Sequence, residues 1–251
     1  MKSSRTSVVL CLWMIPLFVI AGCGPKQTNN QPRARTGNQN ADGAGDADGM
    51  RPPPRPQDDI QVQGLMGTID ANAVDKAFTA KRRAVSACRR QHIGNLSYVG
   101  GDVQLFFKIG MDGVPTSVVL EKSQLGHHEM EACILGVAKG LKFVKPKGGV
   151  AEVRYTMTLA NNGTDPKDWA AGKANKTLRK KRGALRACRT GRKPAKFEVT
   201  FYVLPGGTVK TVGVASSEAL PAGFAACVAK VVTALTFEDP LGAVARATYA
   251  F

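Results

Sequence analysis

The sequence predicts an α+β protein built from two tandem units, each a three-stranded antiparallel sheet with two helices on one face (order α-β-β-α-β) and one disulfide. Three observations lead there. The first is an internal repeat: residues 133–155 read CILGVAKGLKFVKPKGGVAEVRY and residues 227–249 read CVAKVVTALTFEDPLGAVARATY. At a constant shift of 94, Cys133, Val137, Leu141, Phe143, Pro146, Gly148 and Tyr155 meet Cys227, Val231, Leu235, Phe237, Pro240, Gly242 and Tyr249. An ordered series of matches is the mark of a duplicated structural unit. The second is a pair of helix-period apolar stripes that each end on a cysteine, and the third is a pair of apolar runs that each bracket a turn signal.

Taken in order, residues 1–22 read as an export signal. Lys2 and Arg5 precede an apolar run over 8–21, and small residues follow it. That run has 14 residues, short of the roughly 20 that a membrane-spanning helix needs. Ile20-Ala21-Gly22-Cys23 resembles a bacterial lipobox. The resemblance implies cleavage before Cys23 and acylation of that residue, so the chain is expected to sit on a membrane through lipidated Cys23. Two or three acyl chains, at about 0.8 kcal/mol per buried CH₂, make such an anchor nearly permanent. Gly24 stands where an Asp would favour retention at the inner membrane, which points to the periplasmic face of the outer membrane.

Residues 23–59 are the acylation site and a tether. Positions 24–59 hold no aromatic residue and almost no apolar one, so they have too little surface to bury to offset the entropy of ordering. As a flexible chain, 36 residues span about 35 Å end to end.

The first unit is expected over 60–160 and the second over 161–251. A short strand is predicted at 62–69. Asp70 is then a good N-cap for a helix reaching about residue 91, with Val74, Phe78, Val85 and Cys88 on one face. In the second unit Asp165-Pro166 offers a cap and a first-turn proline, and Ala174, Leu178, Leu185 and Cys188 repeat the stripe at a shift of 100. Hairpins follow at 103–120, turning at Met111-Asp112-Gly113, and at 197–214, turning at Pro205-Gly206-Gly207. The second helix of each unit carries Met130, Cys133, Val137 and Leu141, or Phe224, Cys227, Val231 and Leu235, before closing strands at 151–159 and 243–251.

Cys11 leaves with the signal and Cys23 is acylated, so four thiols remain for an oxidising compartment. Four cysteines allow three pairings. The repeat selects Cys88–Cys133 with Cys188–Cys227, because each bond then stays inside one unit. No C-x-x-C redox motif occurs, which favours structural bonds.

The order of helix-Cys, hairpin, Cys-helix, F-x-x-P-x-G and closing strand resembles the AgmX/PglI C-terminal domain of myxobacterial envelope proteins, a family itself similar to the TonB C-terminal domain. The match is fuller over 61–160 than over 165–251. It implies a periplasmic interaction module of gliding or envelope machinery, an envelope protein as partner, and no catalytic residue.

Chemistry-bearing clusters are sparse. His127-His128-Glu129 with Glu131 is the only metal-like group, yet helical zinc sites use ligands at i and i+4, and adjacent helical residues point about 100° apart. These residues read instead as polar openers of a helix after Gly126. His92 sits in a basic run near a helix end, where a cation suits the dipole. No G-x-S-x-G and no paired acids appear, so no enzyme activity, metal or other cofactor is expected.

Charge is the remaining signal. The net charge is +16; residues 60–160 carry 13 basic and 8 acidic groups, and 161–251 carry 15 and 6. Lys173, Lys176, Arg179, Lys180, Arg182, Arg186 and Arg189 surround the second unit's first stripe, and Lys81, Arg82, Arg83, Arg89 and Arg90 surround the first unit's. Export removes nucleic acid as a partner. The second set is therefore the candidate contact for anionic cell-wall or lipid groups, and exposed sheet edges are the candidate contact for a protein strand.

Overall fold

In the computed structural model, residues 60–63, 67–169, 171–188 and 196–251 are described. The signal segment, Cys23, the tether and Arg189 lie outside them. The first described element is strand β1 (Ile60–Gln63), which starts earlier than the 62–69 strand that the sequence predicts, and Thr68 makes an isolated bridge to Lys147. Helix α1 (Ala71–His92) follows, and the Asp70 carboxylate caps it by accepting from the Asn72 N–H at 3.3 Å. Its buried face is Val74, Phe78 and Cys88.

Strands β2 (Gly101–Ile109) and β3 (Pro115–Ser123) form the first hairpin, helix α2 spans His128–Lys139, and β4 spans Ala151–Leu159. The sheet order is β1-β4-β2-β3, antiparallel throughout. Alternate β2 residues Val103, Leu105, Phe107 and Ile109 are buried on the face that carries both helices. Phe78 meets Phe107 edge-on at 5.5 Å and lies flat on Tyr155 at 3.5 Å. The opposite face is polar, with Arg154 bound to Glu121 at 2.8 Å and stacked over Phe106.

The second half builds another mixed α+β layer around a second four-stranded sheet. Strand β5 (Lys167–Asp168) runs parallel to β8 (Ala245–Ala250), and the sheet order is β5-β8-β6-β7, with β6 (Phe197–Val203) and β7 (Val209–Ser216) as its hairpin. Each sheet therefore has four strands, where three are predicted. The expected helix start at Asp165-Pro166 is replaced by β5. There the Lys167 and Trp169 N–H groups donate to Val244 and Arg246 carbonyls at 2.9 and 2.7 Å, and Asp168 pairs with Arg246. The sheet edge holds that segment extended. The helix comes later and in two pieces, α3 (Ala171–Lys180) and α4 (Arg182–Ala187), broken at Lys181. Gly183 stands where α1 has Arg83, and glycine costs about 1 kcal/mol in a helix interior.

Helix α5 (Phe224–Thr233) is the fifth helix among the described residues. On α2 the buried line runs Met130, Ile134 and Ala138 on to Leu141 beyond the helix, one position round from the predicted Cys133 and Val137, which are half-buried. Both hairpin tips need glycine. Phe143 N–H donates to the Gly113 carbonyl at 2.9 Å and Phe237 N–H to the Gly207 carbonyl at 2.8 Å. Gly113 and Gly207 have φ of 83° and 79°, and a Cβ on either would run into the phenylalanine carbonyl. The disulfides are Cys88–Cys133 and Cys188–Cys227, as the repeat selects.

Both sheets belong to one compact unit, Pro53–Phe251. The face of the second sheet that carries no helix packs on the first half, so Tyr202 and Ala215 join the core of the first sheet. Tyr202 donates to the Gln124 carbonyl at 2.9 Å, with the Gly100 carbonyl at 3.2 Å, and Thr200 donates to the Ser123 carbonyl at 2.8 Å. Burial beside Tyr202 pushes the Tyr98 hydroxyl up to about 12. Edge strands β3 and β7 thus lie against each other and against α2.

Candidate partner-docking groove

With β3 and β7 covered, the open edges are on the other side of each sheet. Among the described residues, β1 runs beside β4 from Glu152 to Tyr155. Beyond it, Thr156 to Leu159 keep β2 on one side and, among the described residues, have no strand on the other. A groove of about 400 Å³ opens along this stretch, between β4 and α1.

Helical spacing builds its far wall. Thr79, Arg82, Ser86 and Arg89 fall at i, i+3, i+7 and i+10 of α1, one face of the helix, just outside the buried line of Phe78 and Cys88. Met157 and Thr158 supply the β4 side, and the Phe78–Tyr155 stack forms the floor. The Tyr155 hydroxyl donates to Asp75 at 3.4 Å and so fixes the start of α1 against β4. Tyr249 does the same to Asn175 at 3.2 Å in the second half.

Electrostatically the groove is basic. Among the described residues neither Arg82 nor Arg89 forms an ion pair, and the enclosed Arg89 Nη2 finds no acceptor there. An enclosed donor without an acceptor costs free energy. A carboxylate or carbonyl brought in by an extended segment would satisfy it.

Compared with known proteins, the chain matches no family model, no curated protein and no solved structure.

The other predicted residues fall in separate places. Lys173, Lys176, Arg179, Lys180, Arg182 and Arg186 are all exposed on α3 and α4, with Lys173 Nζ 6.0 Å over the Trp169 ring. They form a solvated cationic face. His127 is buried and caps α2, its Nδ1 accepting from the Met130 N–H at 3.5 Å. Burial holds its pKa below the ordinary value. His92 lies 3.8 Å from Glu129. Among the described residues no three His, Cys, Asp or Glu side chains come together as metal ligands, and no helix is long and apolar enough to cross a membrane.

Glu131 is the residue that sequence reasoning misplaced. Read there as a polar opener of the helix, it is buried at the junction of the two sheets. The Ser123 hydroxyl donates to Oε1 at 2.6 Å and the Val214 N–H to Oε2 at 2.9 Å. Burial pushes its carboxyl above the usual range against the pull of those donors. Its place in the α2 sequence carries no signal of this, because both the bare strand edge and Gly213, which leaves room for the carboxylate, lie more than 80 residues away. A smaller apolar cleft of about 190 Å³ opens beside it, lined by Val119, Leu135 and Leu220 among others.

Proposed function

We propose that this chain is an outer-membrane lipoprotein, anchored through Cys23, whose folded part is a non-catalytic protein-interaction module of the cell envelope. Two tandem copies of one α+β unit make the module, the second fused to the first through its bare sheet face. A partner protein docks an extended acidic segment along the open edge of β4, adding a strand beyond β1. The observation that carries this reading is the edge at Thr156 to Leu159, which has no second strand among the described residues, beside a groove holding Arg82 and Arg89, whose Nη2 has no acceptor among those residues. Main-chain hydrogen bonds give such strand addition its affinity, and flanking side chains give its choice of partner. The AgmX/PglI and TonB resemblance agrees with it.

Affinity purification from solubilised envelopes tests this, with the parent chain and an Arg82→Glu/Arg89→Glu variant as baits. The reading predicts one dominant protein that is lost with the variant. Equal recovery on both baits contradicts it.

A second reading is supported by the exposed cations on α3 and α4: binding of peptidoglycan or lipopolysaccharide anions through Lys173, Lys176, Arg179, Lys180, Arg182, Arg186 and Arg189. Binding of that kind falls steeply with salt, because exposed charges are screened within about 10 Å at 0.1 M ionic strength. A strand contact keeps most of its affinity.

A further inference from the structure

Exposed apolar side chains are concentrated at one place. Among the described residues five large hydrophobic side chains are exposed: Met111 at 71%, Val114 at 43%, Val144 at 52%, Val150 at 43%, and Leu241. The first four share one end of the first sheet. Met111 and Val114 lie in the β2–β3 turn. Val144 follows Phe143, whose N–H is bound to Gly113 of that turn, and Val150 precedes Ala151, which pairs with Ile109 at the base of the turn. Scattered exposed hydrophobics need no explanation, but a cluster at a rigid tip does.

The tip is built to stay put. Gly110 N–H donates to the Val114 carbonyl and Gly113 N–H to the Gly110 carbonyl, each at 2.9 Å, while Val114 N–H donates to the Asp112 carboxylate at 3.0 Å. The second loop is pinned by the Phe143–Gly113 bond and by the Thr68–Lys147 bridge, with 2.8 Å bonds in both directions. The apolar side chains are therefore presented without further ordering.

Lysines alternate with them. Lys142, Lys145 and Lys147 are all exposed in the second loop, and Asp112 is the only carboxylate in the two loops. Just below, Lys108 and Glu152 cancel each other at 3.3 Å. This composition selects the partner. Protein interfaces are depleted in lysine, whereas short apolar side chains flanked by long cationic ones suit the headgroup region of an anionic bilayer. We propose that this tip is a membrane-docking face. Met111, Val114, Val144 and Val150 enter the interface of an anionic phospholipid surface, and Lys142, Lys145 and Lys147 rest on its headgroups. The face is separate from the β4 groove and does not depend on strand docking there.

The test separates the tip from any acyl anchor by reading the depth of one side chain. The full chain carrying Met111→Trp is bound to phosphatidylglycerol-rich vesicles made with bromine-labelled acyl chains, with the parent chain giving the baseline from its own tryptophans. The extra tryptophan should shift to the blue and be quenched. Adding Lys142→Glu, Lys145→Glu and Lys147→Glu should abolish that quenching, since three lysines at an anionic surface are together worth on the order of a hundredfold in affinity. Phosphatidylcholine vesicles should give little quenching. An extra tryptophan that stays unquenched while the chain is bound to the vesicles overturns the proposal. Equal quenching with and without the lysines, or on neutral vesicles, overturns it too. Protection of this tryptophan by an acidic protein in place of lipid would likewise assign the face to another partner.

Discussion

Glu131 on α2 accepts a hydrogen bond from the backbone N–H of Val214 on β7 at 2.9 Å, so a side chain of the first half terminates an edge strand of the second. Edge strands invite pairing with other chains and are commonly blunted. Here a buried carboxylate does it, and Gly213 leaves it the space. Glu131→Ala strands the Val214 N–H and the Ser123 hydroxyl, and should cost about 2–4 kcal/mol in equilibrium urea denaturation. Gly213→Ala should also destabilise, because its new Cβ meets the carboxylate. In the double variant the two costs should not add, since removing the carboxylate removes the clash.

Two buried groups give stability a dependence on pH with opposite signs. Glu131 has a raised pKa, so its contribution is fully present below the ordinary glutamate value of about 4.3 and is lost as pH rises through its folded value. His127 has a lowered pKa, so its contribution is intact above the ordinary value of about 6.5 and is lost as pH falls. Thermal unfolding of Glu131→Gln should show a smaller loss of stability than the parent as pH rises above the ordinary glutamate value. His127→Asn keeps a capping acceptor and should flatten the acidic limb. Unchanged slopes in both would contradict the assignments.

The disulfides close separations of 45 and 39 residues. In the chain-entropy model each is worth about 4 kcal/mol. Replacing Cys88 and Cys133 together by serine should lower the unfolding free energy by about that amount, and peptide mapping without reductant should recover Cys188 joined to Cys227.

Tyr202→Phe removes the hydroxyl that reaches Gln124 and Gly100 but keeps the ring against Tyr98. A loss of about 1 kcal/mol is expected, with faster amide exchange in β6 as the readout.

Much of the architecture was legible because the repeat is written in residues with local meaning. Cysteines on helix faces, glycines at hairpin tips and the F-x-x-P-x-G segment each dictate their own surroundings. β1 was legible only as a strand placed too late and β5 not at all, since strands of four and two residues are too short to show a period and depend on the edges that β4 and β8 offer. The α2 face was read one position off because Cys133 drew the line toward itself, whereas packing follows Met130, Ile134 and Ala138. Arg82 and Arg89 stood in the sequence as part of a basic run. Only the fold shows that they line a groove beside β4, at an edge with no further strand among the described residues.

The central claim is that this edge receives a partner. Site-specific photo-crosslinking in intact cells tests it most directly, with p-benzoylphenylalanine at Thr79 on the groove wall and, as the control, at Ala184 on α4. The claim predicts one discrete adduct from position 79, lost with Arg82→Glu/Arg89→Glu, and none from position 184. The same adducts from both positions, or an adduct at 79 that survives the charge reversal, would contradict it.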